Sequence, residues 1–481
     1  MKNLFFILSV LFSVLAFGQD CNCEESFAWM KKTFEENDAG YQVTIDKKGK
    51  SEYEKYNQFY LDKVKKITDI NECGRTLYDW LKFFRSGHIS VNVNQKNPNA
   101  GNMDVLADNK NWETVSMTEA EVESYLANVP LTSFEGIWKT EPYKIAIIKK
   151  NEEYIGFVLD APGTPWQKNH VKLKFSTNKD KTGFSGKYYL RNYSDYDLKK
   201  VEMIGNNYMK LGQFSLQRVN PKAEDIKSIK TYLELMRSQK PVMLEYSKNT
   251  LVLRIPSFHQ DNKKIVDSLL SVYHKKITST QNFVIDIRNN GGGADRTFTK
   301  IIPYLYTNPI RTIGVEMLST PLNNQRMESF LTMPDFTEED KKEIAENLKT
   351  LNENLGKFVN LHGEKVFTDT HDKVYQYPKN VAVLINENNG STAEQFLLAV
   401  KQSSKTKLFG KTTMGALDVS NMHFVKAPCG KIELGYCLSK SYRIPHMAID
   451  EKGIQPDYYM DDTIPDYEWI EFAETTFQKK K

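Results

Sequence analysis

After its first eighteen residues the sequence has no apolar run long enough to cross a bilayer. It also lacks a dense basic stripe: 65 Lys and Arg stand against 61 Asp and Glu, interspersed, for a net charge of +4. A nucleic-acid partner is therefore not expected. The eight histidines include no pair at metal-ligand spacing, the Cys21-x-Cys23 pair has too few companions for a zinc site, and no Walker-type Lys-Ser/Thr follows the glycines at 291–293. No metal or cofactor is implied. With only five cysteines in 481 residues, disulfides can serve as local staples but not as the framework of the fold.

The first eighteen residues have the pattern of a secretory signal. Lys2 supplies the positive start, Leu4–Phe17 is almost wholly apolar, and Ala16-Phe17-Gly18 offers small residues for cleavage. Such a chain is exported, to the periplasm or beyond, and keeps no transmembrane segment after cleavage. In that compartment Cys429 and Cys437, with Gly430 and Gly435 between them, are expected to staple a hairpin, and Cys73 to pair with Cys21 or Cys23.

The mature length allows about three domains. Residues 19–95 carry helical periodicity, with Phe27, Met30 and Phe34 and then Tyr56, Tyr60 and Val64 at three- and four-residue spacings. Alternation after His88 predicts a strand. Residues 96–133 are Asn- and Asp-rich and are expected to form a linker, with helical character near 117–127. From 134 to 220, short β-branched and aromatic runs separated by Gly, Asn and Lys-Asp turns predict a small antiparallel barrel or sandwich. From 221 to 481 strands and helices alternate, which predicts an α/β domain on a parallel-rich sheet with flanking helices, including a helix over 296–306 and a charged helical excursion over 335–358. The whole is a multidomain α/β chain.

Two segments of that last region carry the chemistry. Val284-Ile-Asp-Ile-Arg-Asn-Asn-Gly-Gly-Gly293 and Val381-Ala-Val-Leu-Ile-Asn-Glu-Asn-Asn-Gly-Ser391 each run as a buried strand and stop abruptly in Asn and Gly. Loops at the carboxyl ends of parallel strands are where ligands and catalytic groups gather. The first loop offers backbone N–H groups, with Gly292 chosen as an oxyanion donor because glycine lets a substrate approach closely. The second delivers Ser391 at a helix start, with the Thr392 N–H as the other donor. Asp286 and Arg288 are expected to pin the first loop, and Glu394 to support its helix N-terminus.

This pairing resembles the C-terminal processing (tail-specific) serine peptidases, which include the tricorn core protease. Five segments match in the family's order over roughly 222–460: Leu253-Arg-Ile-Pro-Ser-Phe258, Asp286–Gly293, Ser391 with Glu394, Gly410-Lys-Thr-Thr-Met-Gly415, and Gly453-Ile-Gln-Pro-Asp457. The resemblance implies a serine endopeptidase acting on peptides or proteins through an acyl-enzyme, with Ser391 as nucleophile. Where many relatives carry the general-base lysine this chain has Ala416, and Lys411 falls where the family has an ordinary polar residue. The tricorn-like branch uses a distant histidine instead. Its turn is matched by Arg85-Ser-Gly-His-Ile89, with Ser86 where an Asp is often found, so the resemblance implies His88 as base and Asp450, next to Glu451, as the acid that orients it. His423 and His446 are the reserve bases. The 134–220 module stands where many relatives place a peptide-binding PDZ domain and has no such signature. The alternative is an inactive family member that binds a peptide or small ligand.

Overall fold

The computed structural model describes residues 21–94, 111–334 and 336–479. The signal segment and the first part of the expected linker lie outside the described residues. The chain forms two compact units that interleave along the sequence, one joining 21–94 to 257–459 and the other joining 111–256 to 460–479, where the sequence reading has domains in succession.

In the first unit, four helices (Cys23–Asn37, Tyr41–Lys48, Lys50–Val64 and Ile70–Leu81) precede the strand Ser90–Val93. Two are started by side-chain caps: Asn22 accepts from the N–H groups of Glu24 and Glu25, and Asp69 from that of Glu72. Their apolar faces, with Met30, Phe34, Leu77 and Trp80 fully buried, close over a long hairpin, Val419–Lys426 with Ile432–Ser441. Ser90–Val93 then pairs antiparallel with Ile432–Ser441, Ser90 opposite Gly435. That pairing ties the turn just before it, which carries His88, to the hairpin.

Behind the hairpin lies a parallel array. Asn282–Asp286 pairs with Asn380–Ile385, which pairs with Thr406–Gly410, which pairs with Tyr458–Tyr459. The first is buried at all five positions, as a strand covered on both faces must be. Because Asp286 is in register with Leu384, the loops that leave these two strands emerge side by side. Of the expected helix over 296–306 only the single turn Asp295–Thr297 and the short helix Ile302–Leu305 form. Pro303 lacks the N–H that would continue a longer helix through this point. The charged excursion expected over 335–358 contains the helix Glu338–Asn352, and a helix outside that range, Pro321–Phe330, pairs with it.

The second unit contains a closed antiparallel barrel of eight strands from Gly136 to Asn220. Its first strand, Gly136–Thr140, pairs with its last, Phe214–Asn220. Trp138, Ile145, Leu173, Phe175 and Met209 belong to its core, and the helix Glu119–Leu126 covers one outer patch through Val122 and Leu126 against Ile137 and Phe157. No helix among the described residues is long and apolar enough to cross a membrane.

Cys73 pairs with one of its two expected partners, but the expected Cys429–Cys437 staple does not form. Cys429 is bonded to Cys21 and Cys23 to Cys73, while Cys437 is a buried free thiol. Cys429 and Cys437 lie on either side of the hairpin turn, but the Cys437 thiol points to the carbonyls of His88 and Val419, at 3.4 and 3.5 Å, and its backbone N–H donates to Asp38 Oδ2 at 3.0 Å. The hairpin is therefore anchored to the N-terminal segment instead of to itself.

Candidate active site

Ser391 is held in a conformation that few residues other than glycine adopt, φ 57° and ψ −128°, at the first turn of the helix Thr392–Val400. Such strain costs about 1–3 kcal/mol and persists only where the surroundings enforce it. Here the enforcement is visible. The Ser391 N–H donates to Ala416 O at 2.8 Å, and the Ser391 carbonyl accepts from Glu394 and Gln395. The Ser391 Oγ makes no hydrogen bond with the described residues, and neither does the Thr392 N–H. The helix thus presents an unsatisfied donor beside the hydroxyl.

The glycine loop packs directly against this turn. A Cβ placed on Gly292, whose φ is +110°, would fall 2.7 Å from Ser391 Cβ and 3.0 Å from Thr392 N, so only glycine fits. Its N–H, expected to face an oxyanion, instead donates to Asn290 Oδ1 at 2.9 Å. The next amide, that of Gly293, is unpaired among the described residues, and its carbonyl accepts from Thr392 Oγ1 at 3.0 Å. The loop is pinned as expected by Asp286 and Arg288: Nε and Nη2 of the arginine reach the two carboxylate oxygens at 3.0 and 2.7 Å, both groups being buried.

His88 has φ 54° in the turn before Ser90–Val93. Its Nδ1 lies 2.7 Å from Val419 O. A carbonyl oxygen can only accept, so Nδ1 carries the proton and Nε2 keeps its lone pair. Burial pulls the imidazole below the ordinary histidine range, the Val419 carbonyl opposes that, and Arg85 adds to it. Arg85 is buried in a two-pronged pair with Asp38, at 2.8 and 2.5 Å, and its Nη2 also reaches His88 O at 3.1 Å. The turn comes close to the nucleophile loop: a Cβ on Gly87 would lie 2.5 Å from that of Ala416, the residue whose carbonyl receives the Ser391 N–H. No hydrogen bond joins His88 to Ser391.

Asp450 does not touch the imidazole. Its carboxylate accepts the N–H groups of Leu417, Asp418 and Val419 at 2.6, 2.7 and 3.1 Å. Where the resemblance implies contact with the ring, the carboxylate reaches instead the backbone that carries the histidine's partner. Burial raises its carboxyl above the usual range, against the pull of those three amides. The Glu451 carboxylate makes an exposed contact with Lys47 at 3.3 Å, and its N–H donates to Gly415 O at 2.9 Å. Glu394 differs from expectation too: fully buried, it accepts from Thr413 Oγ1, Gly415 N–H and Ala416 N–H at 2.5, 2.8 and 2.8 Å. It braces the neighbouring segment, not its own helix end. His423 packs against Tyr436 with its Nε2 buried and unpartnered, and His446 is exposed. The sequence reading missed Val419, which acts through its main chain and has no side-chain signature, and Asp418, which holds Arg443 at 2.6 Å.

Residues 249–460 match the sequence model of peptidase family S41. The segment that carries Ser391 thus resembles peptidase family S41. No curated protein matches it in sequence. Among solved structures, mature CPAF complexed with lactacystin is 13% identical over 95% of this chain and 97% of that one, with a TM-score of 0.50, a likeness of fold. The photosystem II D1 C-terminal processing protease is 11% identical, covering 94% and 96%, with a TM-score of 0.37. The tricorn protease is 11% identical, covering 95% of this chain and 37% of its own, with a TM-score of 0.41. That resemblance supports a serine-type peptidase as the frame for the site, and it aligns Ala416 with the lysine that many relatives carry.

Proposed function

We propose that the chain is an exported serine endopeptidase that cleaves peptides or proteins with a histidine, not a lysine, as base. The observation that carries this reading is the bond from His88 Nδ1 to Val419 O, which commits one nitrogen and leaves Nε2 as acceptor. In this mechanism Nε2 takes the Ser391 proton as Oγ attacks the substrate carbonyl. The oxyanion is met by the Thr392 N–H and by the glycine loop. There Gly292 contributes once it gives up Asn290, and the unpaired Gly293 amide is its neighbour. The imidazolium then protonates the leaving amine, and water releases the acyl group by the same steps in reverse. Asp450 acts as a positioning residue through the 417–419 backbone. Closure of Ser391 on His88 accompanies substrate binding, since such bonds are often loose without ligand. Export is supported by the pattern of residues 1–18 and by the two disulfides.

One observation favours a second reading, a peptide-binding protein that keeps the fold: Ser391 has no base bonded to it and Ala416 replaces the lysine. A fluorophosphonate probe separates the two. Labelling of the wild type that disappears in Ser391→Ala and in His88→Ala supports the enzyme. An unlabelled wild type that still binds peptide supports the binder.

A further inference from the structure

The buried arginines of the first unit follow a rule. Arg85 pairs with Asp38, Arg288 with Asp286 and Arg443 with Asp418, each carboxylate within 2.7 Å. Charges removed from water need such partners. Two arginines break the rule, and both flank the site proposed above. Arg296 lies on the turn Asp295–Thr297, three residues beyond Gly293, and its Nη2 is buried with no hydrogen-bond partner. Arg326, half-buried on the helix Pro321–Phe330, makes one side-chain hydrogen bond with the described residues, Nη1 to Asn421 Oδ1 at 3.4 Å. Asn421 is two residues beyond Val419, the residue that holds His88.

Neither guanidinium forms an ion pair with a described residue. Burial pulls Arg326 below the ordinary arginine range, the mark of a charge without a counterion. Asp340, the carboxylate that feels Arg296, is engaged in capping its own helix, accepting from Thr337 N–H and Oγ1 at 2.8 and 2.7 Å. Asp295, next to Arg296 in the chain, makes no ion pair with it.

The two arginines are joined by a continuous aromatic wall. Arg326 lies 5.1 Å from the Phe330 ring centroid, Phe330 lies 5.3 Å from Phe336, and Arg296 lies 4.9 Å from Phe336. The ring contacts engage one side of each guanidinium and leave hydrogen-bonding capacity unused, since Arg296 Nη2 has no partner and Arg326 makes only the long bond to Asn421. The chemistry that fits is a carboxylate, which takes two parallel N–H bonds from one guanidinium.

The geometry points to Arg296 and Arg326 as specificity-determining residues that bind carboxylates of the peptide, so that the enzyme selects acidic residues close to the cleaved bond. This rests on the peptidase reading. Nearly balanced overall charge means that the selection comes from these two groups and not from a generally cationic surface.

The test has a binding arm and a cleavage arm. In the first, Ser391→Ala protein is titrated with fluorescein-labelled peptides matched except for Glu or Gln at four positions, each with a free or an amidated C-terminus. Glu peptides should bind at least about tenfold tighter than Gln peptides. Arg296→Gln and Arg326→Gln should each remove most of that ratio, and Arg326→Lys should keep part of it. Equal melting temperatures exclude a folding defect. A preference that follows the free C-terminus instead of Glu assigns the same arginines to the terminal carboxylate and overturns side-chain selection. Equal binding of Glu and Gln peptides, no binding of either, or a ratio that survives both substitutions overturns the proposal. In the second arm, wild type cuts a mixed peptide library, and Asp or Glu should be enriched near the cut sites. Cleavage without enrichment overturns the arginine assignment while the peptidase stands. Selective binding without any cleavage retains the arginines and removes the peptidase.

Discussion

Asp418 and Asp450 hold each other by the backbone: the Asp418 N–H donates to Asp450 Oδ1 at 2.7 Å, and the Asp450 N–H donates to Asp418 Oδ2 at 2.8 Å. Two carboxylates at such close quarters, Asp418 buried and Asp450 partly so, repel, and their proximity helps to raise Asp450. Arg443, 2.6 Å from Asp418, offsets the repulsion. The lock fixes Val419 on both sides, with its N–H on Asp450 and its C=O on His88 Nδ1. The acid thus acts on the histidine through one intervening residue.

This arrangement sets the size of the effect of Asp450→Asn. A carboxylate that touches a catalytic imidazole is worth about 10⁴ in kcat when changed to the amide, because the tautomer is lost. In this chain the tautomer is set by Val419, so Asp450→Asn should lower kcat by only about 10- to 100-fold. The amide would turn one N–H toward another N–H, which costs about 1–3 kcal/mol of stability. A loss as large as that of Ser391→Ala would mean that Asp450 meets the ring directly.

The pH dependence follows from the direction of the His88 shift. The base form is the unprotonated one, and burial with Arg85 nearby lowers the pKa from the ordinary value of about 6.5. Activity should therefore be full at neutral pH and fall as pH drops through a midpoint below 6.5. A kcat/KM profile whose acidic limb lies at 8 or above would indicate a lysine-type base.

Much of this was legible in the sequence because it depends on local pattern. The strand Asn380–Ile385 has the range expected from its apolar run, and Ser391, Thr392 and the glycine loop follow from where that run stops. Of the barrel, the strand Asp195–Ile204 is the hardest to read, because the alternation Asp-Tyr-Asp-Leu-Lys slips at Lys199-Lys200 and leaves its buried residues Leu198 and Val201 three apart. What stayed hidden is non-local. Cys21 meets Cys429 across 408 residues, and the partner of His88 is a main-chain oxygen 331 residues away. Neither has a spacing to read. The Arg296–Phe336–Phe330–Arg326 wall is hidden for the same reason.

Within the barrel, Lys172 is the extra residue of a bulge between Val171 and Leu173, which turns its fully buried side chain inward. Its Nζ lies 3.9, 4.0 and 4.9 Å from the rings of Trp166, Tyr143 and Tyr188 and donates to Leu190 O at 3.3 Å, with no carboxylate nearby. Burial lowers its pKa to about 6. The unfolded chain keeps that proton up to about 10.4. Between these values the unfolded state binds more protons, so stability rises with pH. Lys172→Met should stabilise the barrel by a few kcal/mol near neutrality and flatten the rise between pH 7 and 10. An unchanged slope in chemical denaturation would show that another group titrates there.

The cysteine arrangement predicts a distinct chemical pattern. Non-reducing peptide mapping should recover Cys21 with Cys429 and Cys23 with Cys73. Cys437, whose thiol is raised to about 12 by burial, should resist alkylation until the protein unfolds. Recovery of a Cys429–Cys437 peptide would contradict this connectivity.

The sharpest prediction concerns the lysine that this chain lacks. Restoring the family residue with Ala416→Lys would ordinarily be expected to supply a base beside Ser391. Ala416 is buried, however, and its Cβ faces Gly87 so closely that even a methyl group on Gly87 would come within 2.5 Å. A lysine stem at 416 must push aside the 85–89 turn, and with it His88, or twist the 413–416 segment off Glu394. Either movement costs about 1–3 kcal/mol, as overpacking of a tight contact does. Ala416→Lys should therefore lose activity to nearly the level of His88→Ala instead of gaining it. The bulkier Gly87→Val should show a similar loss with no change of charge. Fluorophosphonate labelling rates and melting temperatures for the three variants make the comparison. If Ala416→Lys labels as fast as wild type and keeps that rate when His88 is also changed to Ala, the lysine has taken over as base, and histidine and lysine are interchangeable at this site.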